Sequence, residues 1–261
     1  MGAWRDLSGW QKARRAWAVL GGMALVGFLL WMALGYRASA TARAALISDE
    51  RVVASEEEGL WRFEPAAGRD RRSAGLLFFP GALVDERAYA PLLREIALGG
   101  HPALLLRVPW RGAFGSADRP ALRGRARRLM EAERGIDAWV VAGHSRGAKV
   151  AAMLARDGAP RLAGLALIGT THPRDFSLAG LAIPVLKIYG SRDGVAPPDS
   201  VLANRHLLPA STEWVRIEGG NHAQFGWYGF QPLDRFAAIS RSEQQALTLA
   251  AIRKLLAEVE R

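Results

Sequence analysis

The chain has 261 residues, half of them hydrophobic, which is typical of one globular domain with an additional segment. It contains no cysteine, which excludes disulfide bonds, thiolate metal ligands, a cysteine nucleophile and a lipid-modified cysteine anchor. The formal net charge is +10. Basic proteins often bind nucleic acid, acidic lipid or anionic substrates, but we interpret this excess mainly as an arginine-rich composition.

The N-terminal segment has the composition of a membrane span. Residues 1–15 form a tail with four basic residues and one acidic residue, and residues 16–36 contain no charged residue. As a helix rising about 1.5 Å per residue, residues 16–36 would cover roughly 30 Å, the thickness of a bilayer core. Trp17 lies near one end and Trp31 and Tyr36 near the other, as in interfacial aromatic belts. We predict a transmembrane helix over residues 16–36.

This segment could be a cleaved signal peptide or a permanent anchor. Residues 38–40, Ala-Ser-Ala, resemble a signal-peptidase site, but the apolar run is longer than a signal-peptide core and Arg37 interrupts before the site. We therefore favour an uncleaved signal anchor. Basic residues are more frequent before the span than after it, which predicts a cytoplasmic N-terminus and a domain on the outer, extracytoplasmic face.

Strand and helix patterns alternate after a linker of residues 37–72, which itself contains strand candidates at 51–54 and 60–64. Residues 73–261 are predicted to form one α/β core with a largely parallel sheet, flanking helices and at most a small cap. Buried apolar runs and alternating patterns predict strands at residues 75–79, 103–108, 140–142, 162–168, 184–189 and 212–217. Amphipathic patterns predict helices at residues 88–98, 119–134, 146–156, 198–208 and 242–259.

The basic charge of the core is concentrated in residues 107–134, which hold eight arginines and three acidic residues. The simpler interpretation is a solvated helix face. The alternative is a basic rim that contacts lipid head groups or an anionic substrate.

Residues 143–147 read Gly-His-Ser-Arg-Gly, between a valine-rich run and a helix pattern. This is the layout of a nucleophile elbow, in which the serine occupies a tight turn from strand to helix. The glycines remove side chains where the two backbones approach each other. We predict that Ser145 is a nucleophile.

A serine hydroxyl needs a base, and the base needs an acid that fixes its tautomer. His222 follows the last predicted strand in a loop of small residues and is the predicted base, with His172 as the reserve candidate. Asp193 follows the strand at 184–189 and is the predicted acid, with Asp175 as the alternative.

An acyl-transfer site also needs two backbone N–H donors for the oxyanion. One is predicted at Arg146, directly after the nucleophile at a helix N-terminus. The other is predicted at Ala82, or alternatively Leu83, in the turn where Gly81 permits a close approach. This chemistry requires no metal and no organic cofactor.

Five motifs in this order resemble the α/β-hydrolase superfamily, and within it the alpha/beta hydrolase fold-5 subgroup near the dienelactone-hydrolase-like enzymes. They are FFPGALVD (78–85), AYAPLL (88–93), GHSRG (143–147), YGSRDG (189–194) and GGNHAQFG (219–226). The resemblance implies an α/β-hydrolase fold and a serine hydrolase that uses Ser145, Asp193 and His222. It implies no substrate, because dienelactone hydrolases proper use a cysteine nucleophile and this chain has none.

The resulting hypothesis is a membrane-anchored serine hydrolase of the carboxylesterase type, acting on an ester or related acyl bond of a small-molecule or lipid substrate. The first alternative is an acyltransferase on the same fold. The second is a non-catalytic, membrane-tethered binding protein, which the complete set of triad residues disfavours. Nucleic-acid binding has no matching motif and conflicts with an outward-facing domain.

Overall fold

A long exposed helix precedes the domain. The structure, a computed structural model, describes residues 7–261, so residues 1–6 of the predicted basic tail lie outside it. Helix α1 covers Gly9–Gly35 and is long and apolar enough to cross a membrane, with none of its most apolar window buried. Helix α1 ends one residue before the end of the predicted span, and Tyr36 is buried in the domain, where it stacks on Tyr228 with ring centroids 6.0 Å apart. The membrane span over residues 16–36 stays a prediction.

Eight strands form one sheet in the order β1-β2-β4-β3-β5-β6-β7-β8. The strands are β1 Val52–Glu57, β2 Leu60–Pro65, β3 Ala74–Phe79, β4 Ala103–Leu106, β5 Ala138–His144, β6 Leu162–Ile168, β7 Val185–Gly190 and β8 Glu213–Ile217. Strand β2 pairs antiparallel with β1 and β4, and all other neighbours are parallel. The predicted α/β fold class is confirmed.

Helices cover both faces of the sheet. They are α2 Ala40–Ala44, α3 Ala90–Leu98, α4 Pro120–Ala132, α5 Arg146–Arg156, α6 Pro198–Ala203 and α7 Arg241–Val259. Short 3-10 turns lie at Glu86–Tyr89, Pro109–Asp118, Arg205–Leu207 and Ala223–Phe225. The single helix predicted over 198–208 is wrong. It ends before Asn204, whose side chain donates to the Thr171 carbonyl at 2.9 Å.

The two faces of the sheet form two separate apolar layers. In β5, Val140 and Ala142 belong to the layer under α3 and α7, whereas Trp139 and Val141 belong to the layer under α4 and α5. This period of two is the side-chain alternation of a strand, and both layers are apolar because parallel strands are buried on both faces.

The arginine-rich residues 107–134 are largely tied to neighbouring loops. Arg123 donates to Asp157 at 3.0 Å, Arg127 donates to the Asp157 carbonyl at 2.6 Å, and Arg107 donates to Glu86 at 2.7 Å. These bonds give part of the local positive charge a structural role.

Candidate active site

Ser145 occupies a strained turn between β5 and α5. Its φ is 54° and its ψ is −118°, a conformation that non-glycine residues rarely adopt. A Cβ on Gly143 would collide with the backbone of Gly147, and a Cβ on Gly147 would collide with the Phe79 carbonyl. Both positions therefore require glycine, and the half-buried Ser145 lies at the carboxyl end of β5.

The loops after β7 and β8 bring Asp193 and His222 together. The His222 Nδ1 atom lies 2.8 Å from Asp193 Oδ2, and the two side chains are 1% and 0% exposed. The other oxygen of Asp193 accepts from the backbone nitrogens of Val195 and Ala196 at 2.9 and 2.6 Å. Three hydrogen bonds thus hold this carboxylate in place.

The Asp193 carboxylate determines the tautomer of His222. Because a carboxylate only accepts hydrogen bonds, Nδ1 carries the proton and Nε2 is the acceptor of the neutral ring. Within residues 7–261 this Nε2 atom is buried and has no hydrogen-bond partner. The ring therefore holds a free acceptor at the edge of the sheet where β5 delivers Ser145.

A second carboxylate positions the loop of His222. Asp234 is 8% exposed, and its Oδ1 accepts from the backbone nitrogens of His222 at 3.2 Å and Gly194 at 3.1 Å. Its Oδ2 accepts from Ala223 at 2.8 Å. Asp234 therefore links the loop of the acid to the loop of the histidine.

A buried stack connects the turn after β3 to His222. The backbone N–H of Gly81 donates to the Tyr89 hydroxyl at 3.0 Å, and this hydroxyl lies 2.8 Å from His144 Nδ1. The His144 ring packs on the His222 ring with centroids 4.4 Å apart. Burial, and then the neighbouring His222, lower the pKa of His144 well below its ordinary value. His144 is therefore neutral, and its Nδ1 accepts a hydrogen bond from the Tyr89 hydroxyl.

The predicted oxyanion donors differ in their availability. The Leu83 N–H donates to the Arg111 carbonyl at 2.6 Å, so the alternative donor is already occupied. Within residues 7–261 no backbone carbonyl accepts from the Ala82 N–H. The Arg146 N–H belongs to the first residue of α5 and has no acceptor inside the helix.

The two reserve candidates lie beside each other and apart from the His222 pair. Asp175 Oδ2 is 4.0 Å from His172 Nδ1 and also 4.0 Å from Lys149 Nζ. Burial, with help from the nearby Arg174, lowers the pKa of His172 to about 4. The carboxylate that contacts the His222 ring is that of Asp193.

Sequence reasoning did not identify Asp234 or Tyr89 as parts of this site. Asp234 lies in the long loop after β8, where no motif distinguishes it. Tyr89 lies within the motif AYAPLL, which carries the family resemblance but does not indicate that its hydroxyl contacts Gly81. In the described part of the chain, no group of three or more His, Asp or Glu side chains is arranged to hold a metal ion.

Comparison with known proteins agrees with this fold. Residues 75–246 match the family described as alpha/beta hydrolase. A predicted dienelactone hydrolase from Klebsiella pneumoniae is similar in structure, with a TM-score of 0.57, 17% identity and coverage of 78% of this chain and 99% of that one. A thermophilic esterase from the planctomycete Thermogutta terrifontis gives a TM-score of 0.53, 18% identity and coverage of 79% and 91%. No curated protein sequence matches the chain. The family match covers most of the core, and the chain belongs to the alpha/beta hydrolase family.

Proposed function

We propose that this protein is a membrane-anchored serine hydrolase that cleaves a carboxylic ester through Ser145, His222 and Asp193. The observation that carries the proposal is the free, buried Nε2 acceptor of His222. A histidine paired with a carboxylate through Nδ1, with an unpartnered Nε2 and a strained serine at the same edge of the sheet, is the arrangement that serine hydrolases use.

In the first half of the reaction, the Ser145 hydroxyl attacks the ester carbonyl carbon while its proton passes to His222 Nε2. The Asp193 carboxylate stabilises the imidazolium that forms. The carbonyl π electrons move to the oxygen, and the N–H groups of Arg146 and Ala82 donate to this oxyanion. The tetrahedral intermediate then expels the alcohol, which takes the proton from Nε2, and an acyl-enzyme remains.

In the second half, water attacks the acyl carbonyl and gives its proton to Nε2. The carbon–oxygen bond to Ser145 breaks, the serine regains the proton, and a carboxylic acid leaves. The known esterase among the structural neighbours supports this activity at the level of the fold. The absence of cysteine separates it from thiol-dependent dienelactone chemistry.

The anchor remains attached in this proposal. Tyr36, Ala38 and Ala42 are 7%, 2% and 0% exposed and belong to the core layer under α3 and α7. Cleavage after Ala40 would remove the first two of these side chains and the Ser39 cap of α2. These contacts support an uncleaved anchor, with α1 in the membrane and the domain on the outer face.

The test is labelling of the full-length chain in detergent with a fluorophosphonate probe, together with turnover of p-nitrophenyl esters of increasing chain length. We expect labelling and turnover in the parent, loss of both in Ser145→Ala, and retention of both in the matched control Ser211→Ala, which changes an exposed loop serine. Labelling that persists in Ser145→Ala would refute the nucleophile, and a parent that neither labels nor turns over would refute the activity.

A further inference from the structure

The end of the apolar helix α1 makes backbone hydrogen bonds with the domain. Its last residue, Gly35, accepts a hydrogen bond from the backbone nitrogen of Gly229 at 2.7 Å. The next carbonyl, that of Tyr36, accepts from Asp85 at 2.9 Å. If residues 16–35 cross the bilayer core, the first surface of the domain lies at the level of the lipid head groups.

The partners of this junction belong to the two loops that border the active site. Asp85 ends the turn after β3, which supplies the Ala82 N–H. Trp227, whose carbonyl accepts from Ser39 at 2.8 Å, and Gly229 follow His222 in the loop after β8. The membrane helix is therefore attached at the same edge of the sheet as Ser145.

This edge also exposes large apolar side chains, which we call the apolar rim. The rim consists of Leu83, Trp110, Phe230, Leu233 and Phe236. Leu233 is 87% exposed, and Trp110 and Phe236 are each 76% exposed. Exposed apolar groups of this size, gathered in one region, mark binding or membrane surfaces in folded proteins.

Contacts tie the rim to the junction and to the site. The Phe230 and Phe236 rings stack with centroids 5.1 Å apart, and a Cβ on Gly35 would lie 3.5 Å from the Phe230 carbonyl. The Leu83 N–H donates to Arg111, the residue after Trp110. The rim therefore borders both active-site loops and begins where α1 ends.

Cations accompany the rim. Arg87 and Arg111 each have a side chain 41% exposed, and Arg192 and Arg235 are exposed beside the loop of Phe236. Aromatic and aliphatic groups bordered by arginine are typical of surfaces that insert into the boundary between head groups and acyl chains.

We propose that the apolar rim rests in the interface of the bilayer that α1 crosses, and that Ser145 receives its substrate from that bilayer. The substrate class is then an ester with a long acyl chain dissolved in the membrane, which enters between the turn after β3 and the loop after β8. This inference rests on the proposed esterase activity for its substrate and on α1 and the rim for its membrane contact.

The first test uses the full-length protein in phospholipid vesicles with two substrates, a short water-soluble ester and a long-chain ester dissolved in the bilayer. The double variant Leu233→Asn, Phe236→Asn removes apolar area, and asparagine tolerates the positive φ of residue 233. We expect at least a tenfold loss of rate on the bilayer ester and less than a twofold change on the soluble ester. Val53→Asn, a 44% exposed position at the opposite edge of the sheet, is the matched control and should change neither rate. An unchanged bilayer rate in the double variant would overturn the inference.

The second test moves the domain away from the membrane. Twelve Gly/Ser residues inserted after Leu34 add a flexible segment with a root-mean-square length of roughly 20 Å. Turnover of the soluble ester should persist, and turnover of the bilayer ester should fall at least tenfold. The same insertion after Ser8, on the other side of the span, should affect neither ester. Equal turnover of the bilayer ester by the two insertion variants would contradict direct contact between the apolar rim and the membrane.

The third test does not depend on activity. Because the chain has no cysteine, Leu233→Cys and Val53→Cys each create a single site for a fluorescent label. Nitroxide-labelled lipid should quench the label at position 233 and leave the label at position 53 bright. Quenching without ester turnover would refute the proposed activity alone, and turnover without quenching would refute the membrane contact alone.

Discussion

Oδ1 of Asp234 lies 3.2 Å from the backbone nitrogen of His222 and also accepts from Gly194 at 3.1 Å. Because Gly194 directly follows Asp193, one buried oxygen fixes the spacing between the two loops that carry the acid and the histidine. The hydrogen bond between His222 and Asp193 therefore depends on a residue that contacts neither imidazole nitrogen.

We expect Asp234→Ala to lower the free energy of unfolding by about 2 to 4 kcal/mol, since four backbone donors, those of Gly194, His222, Ala223 and Arg235, lose a charged acceptor. The value of kcat/KM should also fall, because the loops of Asp193 and His222 are no longer held at a fixed distance from each other. Asp234→Asn keeps one oxygen acceptor and should lose less. Urea unfolding and ester turnover measure both effects, with the exposed Asp70→Ala as the control. Parent-like values for Asp234→Ala would show that the loops hold their positions without this carboxylate.

We expect Asp193→Asn to reduce kcat by about 10³- to 10⁴-fold with little change in KM. The amide can donate to His222 Nδ1, which favours the tautomer with the proton on Nε2 and removes the acceptor that Ser145 needs. Asp175→Asn, which changes the acid beside His172, should stay within twofold of the parent. Steady-state kinetics on a soluble ester distinguish the two acids, and the reverse ranking would assign the role to Asp175.

We expect Tyr89→Phe to destabilise the fold by about 1 to 3 kcal/mol, because Gly81 N–H and His144 Nδ1 lose their shared buried partner. Ester turnover should also fall, since Gly81 precedes Ala82 in the turn that supplies an oxyanion donor. Tyr228→Phe removes a hydroxyl that contacts Gln231 at 3.0 Å and should cost stability with no comparable loss of turnover. A parent-like kcat in Tyr89→Phe would show that the contact between Tyr89 and His144 does not affect catalysis.

Burial lowers the pKa of His172 to about 4 in the folded protein, whereas the pKa of a histidine in an unfolded chain is about 6.5. Below about pH 6.5 this histidine binds a proton in the unfolded state but stays neutral in the folded state. The free energy of unfolding therefore falls as the pH falls from 6.5 toward 4. The expected contribution is about 2 to 3 kcal/mol.

His172→Gln should flatten the dependence of the melting temperature on pH in this window. Burial also lowers the pKa values of His144 and His101, so part of the slope should persist. His206→Gln, at an exposed position, is the control and should keep the parent slope. Identical slopes in the parent and His172→Gln would show that His172 is not held neutral.

Local pattern determined much of the fold. The strand at 162–168 was predicted to the residue, because a strand buried on both faces reads as a continuous apolar run. The helix predicted over 198–208 ends early in the structure, at Ala203. The side chain of the next residue, Asn204, contacts Thr171, which is 33 positions away in the chain. Patterns of period two and 3.6 carry no information on such contacts.

The same distinction applies to the candidate site. The sequence predicts Ser145 because its turn requires glycine at positions 143 and 147, which gives a recognisable motif of five consecutive residues. The sequence does not predict the supporting contacts. Tyr89 contacts His144, which is 55 positions away in the chain, and Asp234 contacts His222, which is 12 positions away. Their functions depend on the packed loops rather than on any spacing in the chain.

We predict the orientation of the domain from the charges that border the apolar run of residues 16–36. Lys12, Arg14 and Arg15 precede this run and Arg37 follows it, so the positive-inside preference predicts a cytoplasmic N-terminus. We expect alkaline phosphatase fused after Arg261 to be active, because that enzyme folds only outside the cytoplasm, and we expect a fluorescent protein that folds only in the cytoplasm to remain dark there.

The mass of the mature protein should still include α1, because Tyr36 and Ala38 are part of the core. Exchanging the charges, with Lys12, Arg14 and Arg15 changed to serine and two arginines added after Arg37, should raise the cytoplasmic signal and lower the phosphatase signal. A bright cytoplasmic reporter on the parent chain would reverse the assignment. The apolar rim would then face the inner leaflet, because its contact with the end of α1 holds in either orientation.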